Sequence, residues 1–233
     1  MIIDRGLTLL RGGARLSRGT IFGALFASLI SGCAFLQPPN FDPSPLVAGR
    51  LPSPDITVKL PQLGPCTDSP EQALSLDSSK PVTVLVHGCN GSAGRFRSLA
   101  QLYAFHGQQA VCFSYDDRDS LVLSASQLIA AVGALAGKMQ NREITVIGHS
   151  MGGLVARRAM EGERRIEWER DGLNVNLVTV SAPVSGIAAA KPCGNRVLHW
   201  ASLGLVPLSC MAATGDNWHE ITPSSDFIRR PGP

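Results

Sequence analysis

Four short apolar segments rich in β-branched residues constrain the fold of this chain more than any other feature. They are VTVLVH (82–87), QAVCFSY (109–115), EITVIG (143–148) and LNVNLVTVSAP (173–183). Runs of this kind are typical of strands buried on both faces of a parallel sheet. The segments between them carry apolar residues at helical spacing, over 93–107, 120–139 and from 152 to 163. The alternation predicts an α/β fold, with a mostly parallel sheet and helices on both of its faces.

The length and hydrophobicity of the chain favour one domain, which we place at 66–233. A chain of 233 residues, 44% of them hydrophobic, can bury a single sizeable core. After Pro183 the alternation stops and no further strand is predicted. The segment RVLHWASLGLV (196–206) is typical of an apolar helix that forms a lid or cap.

Residues 1–32 are predicted to be a signal peptide. An arginine-bearing stretch precedes the apolar run IFGALFASLI (21–30), and about ten apolar residues suit a signal peptide, whereas a spanning helix needs about 20. The tetrapeptide ISGC, which ends at Cys33, resembles a bacterial lipobox, whose cysteine is acylated. We therefore expect an exported lipoprotein in the cell envelope, and Ala34 favours the outer membrane. The alternative is an ordinary signal peptide, or a short anchor with an incidental cysteine.

The distribution of charge gives no basis for nucleic-acid binding. The formal net charge of +3 resides in residues 1–32, which hold four arginines and one aspartate, so the rest of the chain is neutral. Aromatic residues make up 6% of the chain and are not interleaved with basic ones. A nucleic-acid partner would require a basic patch or stripe.

Residues 33–65 are predicted to form a proline-rich tether. Half of the 16 prolines of the chain lie within this stretch. Proline at this density is incompatible with a helix or a central strand and favours an extended linker. Within the tether, DITVKL (55–60) alternates between apolar and polar residues and could form an edge strand.

The pentapeptide Gly148-His149-Ser150-Met151-Gly152 fits the pattern G-x-S-x-G. It follows a β-branched strand and precedes an amphipathic helix, which is the context that a nucleophile elbow requires. In such an elbow a strained turn projects the serine hydroxyl, and the residues two positions away on each side must be small. The pattern therefore predicts that Ser150 is a nucleophile.

A second motif, LVHGCNG (85–91), ends the first of the four strands. Hydrolases with this elbow take one oxyanion-hole N–H from such a loop and one from the residue after the nucleophile. We therefore expect the backbone N–H groups of Cys89 and Met151 to form an oxyanion hole. His87, followed by Gly88, is expected to brace the loop rather than to act as the base, and the Cys89 thiol is not expected to be the nucleophile.

Together these stretches resemble the α/β-hydrolase fold, and most closely bacterial lipases and the α/β domain of GPI inositol-deacylases. The resemblance rests on VLVHGCNG, FSYDDRDS (113–120), VIGHSMGGLVARRAM (146–160), VNLVTVSAPVSG (175–186) and TPSSDFIRR (222–230). It covers roughly residues 80–230. It implies that the acid and the histidine of a catalytic triad follow two later strands, in the order serine, acid, histidine. Those strands would come after residue 230, so we expect the domain to lack its last strands.

The catalytic base is the element that the sequence does not provide clearly. The histidines are His87, His106, His149, His199 and His219. Asp216 and His219 are candidate acid and base, but they are three residues apart in GDNWHE, a spacing that rarely lets an acid brace an imidazole that faces a serine. A role as polar residues of a lid loop is the simpler interpretation. Asp116 and Asp117 are expected to brace a loop, and the alternative is that an acid near this position serves the triad.

The sequence therefore favours a lipase or carboxylesterase that works through an acyl-enzyme on a lipid or other ester. A truncated or catalytically inactive surface lipoprotein that binds an acyl ligand or a partner is the alternative, and acyl transfer or thioester hydrolysis on the same site is a third. We expect no cofactor. No metal site is expected, because the chain has no CxxC or His-Cys cluster.

Export would permit disulfides among the five cysteines after Cys33. They are Cys66, Cys89, Cys112, Cys193 and Cys210. Cys193 and Cys210 flank a compact segment and are the favoured pair. Cys112 is expected to be a buried core residue.

Overall fold

The computed structural model of the protein describes residues 53–161 and 163–230. The predicted signal peptide at 1–32, the lipid acceptor Cys33 and the first part of the tether lie outside the described residues. Within the described ranges, no helix has the length and apolar character needed to cross a membrane.

A five-stranded, mostly parallel sheet forms the centre of the described domain. The described residues form seven strands in two sheets, namely β1 (Ile56–Lys59), β2 (Leu63–Gly64), β3 (Ala73–Leu76), β4 (Val82–Val86), β5 (Gln109–Phe113), β6 (Glu143–His149) and β7 (Asn174–Val180). The main sheet has the order β2-β5-β4-β6-β7. Strands β4 to β7 run parallel, and only β2 is antiparallel to its neighbour β5. The four predicted strands are confirmed.

Helices cover both faces of this sheet. They are α1 (Arg97–Phe105), α2 (Leu121–Ala136), α3 (Met151–Met160), α4 (Glu163–Arg170), α5 (Arg196–Ala201), α6 (Leu205–Thr214) and α7 (Asp226–Arg229). Short 3₁₀ helices span Ala93–Phe96, Ala188–Gly194 and Gly215–His219. Val84 of the central strand packs in one core cluster with α2 and α3, whereas its neighbour Leu85 packs in a second cluster with α1. The alternation along β4 thus buries one row of side chains under each helical layer.

Residues 55–65 belong to the fold, although we assigned them to the tether. The edge strand predicted at 55–60 is confirmed as β1, which pairs antiparallel with β3. Leu60 and Leu63 are buried, and β2 joins the main sheet, so the folded part begins before residue 66. The prolines of this stretch do not prevent folding, because Pro61 lies in the turn between β1 and β2 and so removes no hydrogen bond between paired strands.

The prediction of one apolar helix at 196–206 is wrong, because the segment contains α5 and the start of a separate helix, α6. Leu203 and Gly204 both adopt left-handed φ angles, of 52° and 85°, which end the first helix. Pro207 falls in the first turn of α6, where a helix requires no backbone N–H. In an unbroken helix from residue 196, the same proline would remove an interior hydrogen bond.

Two disulfides cross-link the part of the chain that the structure describes. The favoured pair Cys193–Cys210 is confirmed. It ties the 3₁₀ helix Ala188–Gly194 to α6, within the helical segment after β7 that we call the cap (188–219). Cys112 is buried as expected, but it is also bonded to Cys66, a pairing that the sequence did not reveal. The second bond fastens the segment after β2 to the middle of β5. It therefore joins two segments that are 46 residues apart in the sequence.

We predict that the Cys66–Cys112 bond stabilises the whole domain. Replacing both residues with alanine should lower the free energy of unfolding by about 2–4 kcal/mol, because the bond restricts a long loop of the unfolded chain. Urea denaturation of the oxidised protein measures this effect. The double variant of Cys193 and Cys210 is the matched control, and its shorter loop should give the smaller loss. Equal losses in the two variants would contradict the prediction.

Candidate active site

Ser150 occupies the corner between β6 and α3 in a strained backbone conformation. Its φ and ψ are 53° and −123°, a region that costs an L-residue on the order of 1–3 kcal/mol. The surrounding backbone holds the corner, since the Ser150 N–H donates to the Val180 carbonyl oxygen at 2.8 Å. The Gly153 N–H donates to the Ser150 carbonyl oxygen at 3.0 Å. This is the strand–turn–helix context that the sequence motif predicts.

Gly148 and Gly152 are glycines because backbone occupies the space that a side chain would need. A Cβ on Gly148 would lie 2.5 Å from the Gly152 carbonyl oxygen. A Cβ on Gly152 would lie 2.5 Å from the Val86 carbonyl oxygen and would also collide with the carbonyl of His87. The turn can therefore reach its strained geometry only with glycine at both positions.

The loop after β4 lies directly against this corner. A Cβ on Gly88 would come within 2.9 Å of both the His149 carbonyl oxygen and the Ser150 Cβ. The loop then turns, with the Gly91 N–H donating to the Gly88 carbonyl oxygen at 3.0 Å. Asn90, within this turn, has a φ of 51°. The backbone around Cys89 is thus held next to the Ser150 side chain.

The segment after β5 braces this loop. The Tyr115 hydroxyl donates to the His87 carbonyl oxygen at 2.8 Å, and the two rings stack with their centroids 4.4 Å apart. The Asp117 carboxylate accepts a hydrogen bond from the Asn90 N–H. The Asp116 carboxylate accepts from the Arg118 N–H at 2.9 Å. The expected bracing roles of the two aspartates are confirmed.

His87 is a buried side chain. Burial is the main cause that holds the pKa of its imidazole below the ordinary value. Its Nδ1 lies 3.1 Å from the Gly88 carbonyl oxygen. Because a carbonyl can only accept, Nδ1 carries the proton. Burial also raises the pKa of the stacked Tyr115. These features fit a loop brace, as the sequence predicts.

A cavity of about 260 Å³ opens in front of Ser150. It is lined by His87, Gly88, Cys89, Gly91, Arg95, Phe96, His149 and Ser150. Sequence reasoning missed Arg95 and Phe96, which are the last residues of the 3₁₀ helix after the glycine-rich loop. A larger and more open cavity of about 400 Å³ lies beside Tyr115, but Ser150 does not line it. The smaller cavity is therefore the candidate active site.

The candidate acid and base lie in the cap. Asp216 and His219 belong to the 3₁₀ helix Gly215–His219, and His219 is exposed. Among the residues described, His219 does not line the Ser150 cavity. The neighbouring Asn217 is buried and donates through Nδ2 to the Asp117 carbonyl oxygen at 2.8 Å. His199, in α5, instead has its Nε2 2.8 Å from the Cys193 carbonyl oxygen.

The chain belongs to the alpha/beta hydrolase family, whose sequence profile matches residues 83–231. The match begins in β4 and includes the elbow, so the predicted α/β-hydrolase fold is confirmed. The closer resemblance to GPI inositol-deacylases stays a prediction. None of the curated protein sequences matches the chain.

Several solved structures are similar to this chain at low identity. The mature form of the Bacillus licheniformis lipase BlEst2 is 18% identical, with 72% of this chain and 61% of that chain covered and a TM-score of 0.46. The phosphonate-inhibited esterase B from Lactobacillus rhamnosis is 12% identical, with coverage of 91% and 69% and a TM-score of 0.45. The chain spans 61%, 33% and 55% of the first three structures that it matches, which is less than two thirds of each.

We predict that Gly152→Ala disrupts the elbow, because its methyl group would collide with the backbone of β4. The free energy of unfolding should fall by about 2 kcal/mol or more. Gly133→Ala in α2 is the matched control, since a Cβ there meets nothing within 4 Å. That change should raise the free energy of unfolding by about 0.5–1 kcal/mol. Urea denaturation measures both values, and similar changes in the two variants would contradict the packing argument.

Proposed function

We propose that the protein is a serine hydrolase that cleaves carboxylic esters through an acyl-enzyme. The observation that carries this proposal is the strained Ser150 corner at the wall of a cavity, with the loop that contains Cys89 packed against it. In the reaction, the Ser150 Oγ attacks the ester carbonyl carbon and loses its proton to a base. The alcohol leaves after receiving a proton, and water then hydrolyses the acyl-serine to release the acid.

The oxyanion formed in each step would be bound by the backbone N–H groups of Cys89 and Met151. Met151 is the first residue of α3, where backbone N–H groups lack partners within the helix. The positive end of the α3 dipole lies at the same place. Such donors are positioned before the charge develops, and loss of one typically costs about 10²–10³ in turnover.

The identity of the base distinguishes this proposal from its alternative. His219, with Asp216, stays the candidate base and acid. In the part of the chain that the structure describes, the cavity lining includes two histidines, His87 and His149, and no carboxylate. That observation favours, as a second candidate function, a protein that keeps the cavity and binds an acyl ligand without cleaving it.

Fluorophosphonate labelling of the purified chain separates the two functions, because these reagents modify a serine that a base activates. We expect labelling of the protein and its loss in Ser150→Ala. Cys89→Ser is the matched control, since it keeps the backbone N–H and should still be labelled. Loss of labelling in His219→Gln, with labelling retained in His199→Gln, would identify the base.

An unlabelled protein that unfolds cooperatively would contradict the hydrolase proposal. Saturable binding of a fluorescent fatty acid to such a protein would then support the acyl-binding function. If the protein is labelled, turnover of a p-nitrophenyl ester with and without added alcohol separates hydrolysis from acyl transfer. A thioester substrate in the same assay tests thioester hydrolysis.

We further propose that Cys33 carries a lipid that holds the protein in the cell envelope, and that lipid esters are the substrates. The lipobox-like sequence before Cys33 supports the first part. Radiolabelled palmitate should be incorporated in a bacterial host and lost in Cys33→Ser. Cys89→Ser is the control and should retain the label. Equal incorporation of palmitate into the unaltered protein and into the Cys33→Ser variant would contradict lipid attachment at Cys33.

A further inference from the structure

The two helices of the cap present a cluster of apolar side chains to solvent. We call α5, α6 and the turn between them the cap hairpin (196–214). Seven large hydrophobic residues within it are exposed, namely Val197, Leu198, Trp200, Leu203, Leu205, Leu208 and Met211. Trp200 is 82% exposed and Leu203 is 94% exposed. A concentration of apolar surface of this kind marks an interaction site, whereas exposed apolar residues scattered singly do not.

The turn that carries Leu203 is held in place by local bonds. The Ser202 Oγ accepts from the Val206 N–H at 3.1 Å and donates to the His199 carbonyl oxygen at 3.2 Å. The Leu205 N–H donates to the Ser202 carbonyl oxygen at 3.0 Å. The Cys193–Cys210 disulfide closes the base of the hairpin. The Leu203 side chain is therefore presented at the tip of an ordered element.

The charged residues within the stretch of sequence that contains the hairpin have one sign. Between Ser181 and Gly215 the only charged residues are Lys191 and Arg196, and both are exposed. No carboxylate lies in this stretch of sequence. Basic residues beside an apolar surface are attracted to anionic lipid headgroups, and tryptophan favours the boundary between headgroups and hydrocarbon.

We propose that the cap hairpin docks the protein on the surface of an anionic phospholipid bilayer, with Trp200 and Leu203 inserted among the lipids. A second copy of the chain fits this surface less well. In a twofold dimer the surface would meet itself, so that Lys191 and Arg196 of both copies would enter one interface without a carboxylate from this stretch. The docking does not depend on hydrolysis at Ser150 or on a lipid at Cys33. It therefore goes beyond the proposed function and can be tested by binding alone.

The test uses the emission of Trp200 in the full chain with vesicles of phosphatidylcholine and phosphatidylglycerol that carry brominated acyl chains. Bromine quenches a tryptophan only when the ring lies within the bilayer. The readout is thus specific to the hairpin, even where the apolar run at 21–30 also binds vesicles. Subtracting the signal of Trp200→Phe removes the contributions of Trp168 and Trp218. We expect quenching of Trp200 that weakens in vesicles without phosphatidylglycerol.

Leu203→Ser should raise the lipid concentration needed for half-maximal quenching about tenfold, because an inserted leucine side chain contributes a large apolar area. Ile166→Ser in α4 is the matched control. Ile166 is 60% exposed but lies away from the hairpin in sequence, and its replacement should leave the quenching unchanged. Lys191→Gln together with Arg196→Gln should reduce the dependence on phosphatidylglycerol. Circular dichroism checks that each variant is folded.

Trp200 emission that is not quenched, while the protein sediments with the vesicles, would overturn the proposal. Equal effects of Leu203→Ser and Ile166→Ser would also overturn it. Analytical ultracentrifugation without lipid measures the oligomeric state of the protein and of Leu203→Ser. A dimer that Leu203→Ser dissociates would assign the surface to a second copy of the chain and not to a bilayer.

Discussion

The close approach of two backbone segments is the constraint on which the candidate site depends. The carbonyls of Val86 and His87, at the end of β4, lie where a side chain on Gly152 would be. Without that approach, Ser150 could not be held in its strained conformation next to the loop that carries Cys89. The parallel register of β4 and β6, which pairs Val86 with Gly148, brings the two strand ends level and makes the approach possible.

The bracing of the loop that carries Cys89 connects this approach to the cap. Asn217 donates to the backbone of Asp117, and the Asp117 carboxylate accepts from the Asn90 N–H. Arg118 extends the connection, because its guanidinium donates to the Met211 carbonyl oxygen at 3.0 Å. The cap and the loop are therefore joined by hydrogen bonds through one short segment after β5.

The sequence predicted the four parallel strands of the main sheet, both helical layers and the Ser150 corner, because each leaves a local pattern of periodicity or glycine spacing. It failed where the outcome depends on a partner far along the chain. The bond between Cys66 and Cys112 and the contact of Asn217 with Asp117 join residues 46 and 100 positions apart. The break at Leu203 was missed because the apolar residues on its two sides continue the helical spacing, although Pro207 follows closely.

Cys89 lies outside the two disulfides and lines the cavity beside Ser150. An alkylating reagent that reacts with this thiol would place its added group in the cavity that Ser150 also lines. Inactivation by such a reagent would therefore be a steric effect and would not identify a cysteine nucleophile. Reagents for thiols and reagents for activated serines would compete for the same cavity, so each would protect the protein against the other.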